Sequence, residues 1–184
     1  MSDNNLKNPV IPMWNQHGKT VNTFGKDSTQ TVTYRFNNLG FRSSNNFECV
    51  PDYAFFGCSL VLGIGIDEDK IFASKFKNSQ NYGISGLYDN AHIFQIIENF
   101  LNSDLYAPHV KMAVVWSDRN PERLNDYYQQ LVPYSFVHVF CGKPLPYPKC
   151  YPMIKNLDWD VSRTHIGEKT HQFLYKFLCT VFNQ

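Results

Sequence analysis

The segment YAFFGCSLVLGIG, residues 53–65, decides how this chain is read. It opens with a short apolar run, Tyr53–Phe56, closed by Gly57. A continuous run of that length is what a strand buried on both faces of a parallel sheet requires. Ser59 follows two residues after the glycine. A sharp turn from strand into helix can expose a serine hydroxyl and aim backbone N–H groups at the same point. Gly57 permits the close approach or unusual backbone angle that such a turn needs. Cys58 is the rival nucleophile. Its neighbours are apolar and no cation adjoins it, so a lowered thiol pKa is not indicated and Cys58 reads as a packed residue.

On the N-terminal side, residues 1 to about 30 are rich in Asn, Thr, Lys and Gly. They read as an irregular arm with one short strand around Val10–Trp14. Thr31–Phe36 (TVTYRF) mixes β-branched and aromatic residues with others and predicts a strand, followed by a turn over Asn37–Gly40. On the C-terminal side, Ile71–Phe76 predicts a helical turn leading to a short strand at Asn81–Gly83. Ile93, Ile96, Ile97, Phe100 and Leu101 recur at helical spacing and predict a helix over Asn90–Leu101. Val110–Trp116 is the clearest buried strand. Pro121 stands near the first turn of a helix reaching Leu131, and Phe136–Phe140 is a further strand. Four prolines (Pro144, Pro146, Pro148 and Pro152) mark Cys141–Met153 as a rigid loop. A last helix spans Gly167–Phe182, with Phe173, Phe177, Leu178 and Val181 on one face.

Strands alternating with helices predict an α/β fold, a three-layer α/β/α sandwich around a flavodoxin-like, mainly parallel sheet. Residues 1–50 form the arm and lead-in strand, and residues 51–184 the domain. Sites in such sheets form at the carboxyl ends of strands. That rule places Gly57-Cys58-Ser59 and Ser117–Asn120 at one edge.

Composition narrows the function classes. A chain of 184 residues suits one domain, of a size that buries roughly 70% of its unfolded surface. A net charge of +1 gives no basic excess for nucleic acid. The five cysteines contain no Cys-x-x-Cys pair, which argues for free thiols in a reducing compartment rather than a metal site. The polar start, MSDNNLKNPVIPMW, lacks a signal-peptide apolar core. The longest apolar run, Leu60–Ile66, is too short to span a bilayer. The expectation is a protein without a signal peptide, cytoplasmic or released by another route, with no membrane partner, cofactor or metal.

Six histidines offer candidate bases. His165 lies on the loop before the last helix, from where a base can reach the sheet edge. His171 falls within the helix, on its surface. His138 sits inside a strand as a core or edge residue. His17, His92 and His109 show no partner pattern.

Five segments in order carry a resemblance: YRFNNLGFR (Tyr34–Arg42), FFGCSLVLGIGIDED (Phe55–Asp69), NYGISG (Asn81–Gly86), VVWSDRN (Val114–Asn120) and THIGEKTH (Thr164–His171). Together they resemble the SGNH/GDSL hydrolase family, in a subgroup with Gly-Cys-Ser in place of Gly-Asp-Ser. The resemblance implies a serine esterase acting on a small-molecule or glycan ester, or on a lipid ester. Ser59 would be the nucleophile and His165 the base. The N–H groups of Ser59 and Gly86 would hold the oxyanion. The family's acid stands three residues before the histidine, a position occupied here by Ser162. Asp160 is then the acid of the triad, with Asp158 the other candidate and a Ser–His dyad the remaining option. Asp118 falls nearest the family's oxyanion asparagine, and Asn120 is its substitute. Asn37 and Arg42 read as structural. The alternative is a catalytically impaired SGNH-fold binding or structural module. A nucleotide binder has only Gly63-Ile64-Gly65 in its favour, without a third glycine or a Walker lysine.

Overall fold

A computed structural model of the chain describes residues 20–24, 31–43, 45–84, 89–119, 121–153, 158 and 167–183. Within the arm, β1 (Thr20–Phe24) pairs antiparallel with β2 (Thr31–Arg35), Thr20 opposite Arg35 and Phe24 opposite Thr31. The irregular reading of residues 1–30 is therefore corrected at Thr20–Phe24, where TVNTF supplies β-branched residues and a strand partner stands ready. The strand expected around Val10–Trp14 lies outside the described residues.

The main sheet has five strands: β3 (Tyr53–Gly57), β4 (Ser79–Gly83), β5 (Lys111–Trp116), β6 (Phe136–Phe140) and β7 (Cys150–Pro152). All pair in parallel, in the order β4-β3-β5-β6-β7. Counted from β3, that is the 2-1-3-4-5 order of flavodoxin-like sheets. Among the described residues the α-helices are α1 (Ser59–Leu62), α2 (Asn90–Leu101), α3 (Leu124–Leu131) and α4 (Glu168–Phe182).

Ring contacts show which helix covers which face. Phe56 and Tyr82 meet Phe100 of α2, and Trp116 stacks on Tyr127 of α3. Tyr53 and Phe55 meet Phe182 of α4 on the opposite face, as Tyr151 meets Phe177. Consecutive residues of β3 thus serve opposite layers, as the two-residue period of a strand demands. The α/β/α sandwich holds.

Three expectations change. The fourth strand begins at Ser79, two residues before Asn81. The proline-rich loop ends in β7, which sits at the sheet edge, where Pro152 sacrifices no ladder bond. On α4 the buried residues are Thr170, His171, Leu174 and Leu178, while Phe173 is 39% exposed. The helix is rotated so that His171 faces inward, because its imidazole finds a donor there in the Phe72 N–H, at 3.2 Å. Among the described residues no helix is long and apolar enough to cross a membrane.

Candidate functional site

β3 lies between β4 and β5, so the chain steps to one side of β3 and then to the other. The carboxyl ends of β3 and β5 flank that switch point, where open α/β sheets take ligands. Ser59 leaves the first of these ends and Ser117 the second.

The turn at Ser59 is built from steric necessity. Gly57 has φ of +150°, and a Cβ there would stand 2.5 Å from the Val115 carbonyl oxygen. Only glycine meets both conditions. Cys58 is extended, and its carbonyl accepts the first helical bonds from Val61 and Leu62 at 2.9 and 3.1 Å. Ser59 is the first residue of α1 and half-buried.

Two side chains from outside the turn hold α1 in place. Asn81 Nδ2 donates to the Val61 carbonyl, and its Oδ1 accepts from the Gly83 N–H, both at 2.8 Å. Arg42 is 1% exposed and donates to the carbonyls of Leu62, Gly63 and Ile66, just past the helix end. Its guanidinium also lies 4.2 Å from the centre of the Tyr34 ring. Burial lowers its pKa to about 10, with Tyr34, Glu68 and Asp67 acting the other way. It stays a cation at neutral pH. Arg42 is thus a clamp on the elbow's exit. Asn37 is equally structural: its Oδ1 accepts from Leu39 and Phe41 N–H, each at 3.0 Å.

Ser117–Arg119 is fixed by a residue that sequence reasoning missed. Asn90 is fully buried. Its Oδ1 accepts from the Ser117 N–H at 2.9 Å and the Ser117 hydroxyl at 3.2 Å. Its Nδ2 donates to the carbonyls of Ser117 and Arg119 at 3.1 and 2.6 Å. Asp89 caps the same helix, accepting from Ala91 and His92 N–H and lying 2.8 Å from His92 Nδ1. The local signal was the Asp-Asn doublet at a helix start. Its target, 27 residues on, left no trace in the sequence.

Cys58 is buried, as its packed reading requires, but its thiol does not keep the ordinary pKa. Hydrogen bonding to Cys141 pulls the Cys58 pKa down against burial, and the Leu60 N–H adds to the pull. The same hydrogen bond, with burial, pushes Cys141 up. No cation is needed; a second thiol supplies the proton donor. The charge of Asp118 adds a smaller upward push on both thiols; its Cβ lies 3.6 Å from where a Cβ on Gly142 would stand, at the end of β6.

Of the other expected site residues, Gly86, Asn120, Asp160, Ser162 and His165 lie outside the described residues. Asp158 is described. Its carboxylate accepts from Lys169 and Thr170 N–H at 2.8 and 3.0 Å and from the Thr170 hydroxyl at 3.1 Å. Burial raises its pKa, but these hydrogen bonds outweigh it and the net shift is downward. Asp158 caps α4. His138 accepts from Trp116 Nε1 at 3.1 Å; it is a core histidine. His171, held against Phe72, is another.

No protein-family model, curated protein or solved structure matches the chain. An open cavity of about 820 Å³ lies elsewhere, lined by Arg42, Asp67, Asn78, Gln80 and Asn81 among others. Ser59 is not among its walls. Volume alone does not locate chemistry.

Proposed function

We propose that the chain is an SGNH-type serine hydrolase acting on a carboxylic ester, a small molecule or a glycan ester. The observation that carries this reading is the placement of Ser59. It is the first helical residue after a strand whose last residue, Gly57, has φ of +150°, at the sheet's switch point. In this mechanism Ser59 Oγ attacks the ester carbonyl and His165 takes its proton. The tetrahedral oxyanion rests on the N–H groups of Ser59 and Gly86, with the Asn120 side chain as third donor. One such donor is worth about 3 kcal/mol of transition-state stabilisation. Collapse expels the alcohol, which leaves with the proton from His165, and water then frees the acid by the reverse sequence. Asp160 orients His165. Asp158 is occupied at the start of α4, which favours Asp160 for that task.

The test is hydrolysis of a short-chain nitrophenyl ester by wild type and Ser59→Ala. The expected loss in kcat is about a thousandfold or more. Equal rates would remove Ser59 from the mechanism.

One observation favours the second reading, an impaired SGNH-fold binding or structural module. Asp118 follows β5 at the same carboxyl edge of the sheet as Ser59, nearest the family's oxyanion asparagine in sequence, and a carboxylate is the wrong group to hold an oxyanion. A folded wild type with no esterase activity above background would support that reading.

A further inference from the structure

The open cavity of about 820 Å³ plays no part in the hydrolase reading. Its size is that of a small-molecule site, for which about 300–1,000 Å³ is usual. It lies between β2 with residues 42–49, residues 67–76, and the first residues of β4. The buried part of its wall is fixed by bonds within the protein. Gln80 Nε2 donates to the Cys49 carbonyl at 2.9 Å, and its Oε1 accepts from the Tyr82 hydroxyl. Ser79 Oγ donates to the Ala73 carbonyl at 2.7 Å. These bonds tie β4 to both flanking stretches, so a ligand would meet a wall already in place. The exposed part is different. Asn45, Glu48 and Ser74 stand there, and their side chains hydrogen-bond to no described residue.

The chemistry of the wall selects the ligand. Its apolar residues, Phe47, Ala73 and Phe76, are each 7% exposed or less, which leaves little surface for a lipid or a flat apolar molecule. An anion would meet the carboxylates of Glu48, Asp67, Glu68 and Asp69, and a cation the guanidiniums of Arg35 and Arg42; like charges at close range repel. A neutral ligand covered in hydroxyls meets neither penalty. Each hydroxyl can donate to a carboxylate or amide oxygen and accept from an amide or guanidinium N–H. We infer that this cavity is a binding site for a neutral saccharide, of the length of a short oligosaccharide. Ser59 is not among its walls, so the site stands whether or not Ser59 is a nucleophile.

The test is isothermal titration of the full chain with neutral trisaccharides: maltotriose, cellotriose, xylotriose, mannotriose and chitotriose. At least one should bind one-to-one with a Kd of about 1 mM or tighter. Asn45→Ala and Glu48→Gln, both at exposed positions, should each weaken that binding about tenfold. Ser59→Ala should bind as wild type does. The wild type also offers a readout that needs no variant. Cys49, in the cavity wall, and Cys141, outside it, are both exposed thiols. The bound sugar should slow alkylation of Cys49 severalfold and leave Cys141 at its free rate, whereas inorganic phosphate and spermidine should protect neither. Failure of every sugar to bind, binding that survives both cavity variants or is lost in Ser59→Ala, an unprotected Cys49, or protection of Cys49 by phosphate or spermidine would each overturn the site.

Discussion

His138 and His171 are both held as neutral imidazoles, each accepting one hydrogen bond at Nδ1. Burial lowers both to about 4, helped by the charge of Lys149 at His138 and of Arg42 at His171. The unfolded chain takes up protons near pH 6.5. Stability from these residues is therefore complete above pH 6.5 and is lost as pH falls towards 4. Linkage puts the loss between pH 7 and pH 5 at about 2 kcal/mol per histidine. Urea unfolding at the two pH values should show it; a stability independent of pH over that range would contradict the burial of both rings. His138 was legible because it sits inside FVHVF. His171 was not, because its partner is a backbone N–H 99 residues away and the aromatic residues of α4 suggested a different inward face. Asn90 escaped for the same reason. A polar residue whose partners are distant backbone groups looks like any helix-start asparagine.

The joint between α1 and β4 sets the position of Ser59. A Cβ on Gly83 would lie 2.1 Å from the Leu62 nitrogen and 2.5 Å from the Val61 carbonyl carbon. Both are backbone atoms and cannot step aside as a side-chain tip can. Gly83→Ala should cost about 2–3 kcal/mol or more and displace α1. At Gly142 the nearest contact is Asp118 Cβ at 3.6 Å, an ordinary packing distance. Gly142→Ala should stay within about 0.5 kcal/mol of wild type. Denaturant midpoints of the two variants make the comparison; equal midpoints would mean that α1 does not rest on Gly83. Strands β3, β5 and β6 were legible because burial on both faces writes a continuous apolar run. β7 has three residues, none of them fully buried, and ends in a proline, so its local sequence reads as loop. It exists because β6 offers an open edge.

At the scale of the molecule, the alternation of strands and helices predicted a parallel sheet with two covered faces, and the order β4-β3-β5-β6-β7 places the elbow at its switch point. The N-terminal hairpin adds a contact that no local pattern announced. Val32, Tyr34 and Phe36 pack against Leu62, and Arg42 reaches the carbonyls beyond it. The lead-in segment is thereby part of the elbow's support. Half of the candidate site, Ser59 with Gly57, was legible because a buried strand ending in glycine is a local feature. Its electrostatics were not, since the shift of the Cys58 thiol is traced to Cys141, which follows a strand that does not pair with β3. The proposed function requires that this architecture make Ser59 a reactive nucleophile. Incubation with a fluorophosphonate, followed by peptide mass spectrometry, tests it most directly. One adduct is expected, on the peptide containing Ser59, and none in the Ser59→Ala chain. A folded protein that stays unlabelled, or one labelled elsewhere, would contradict it.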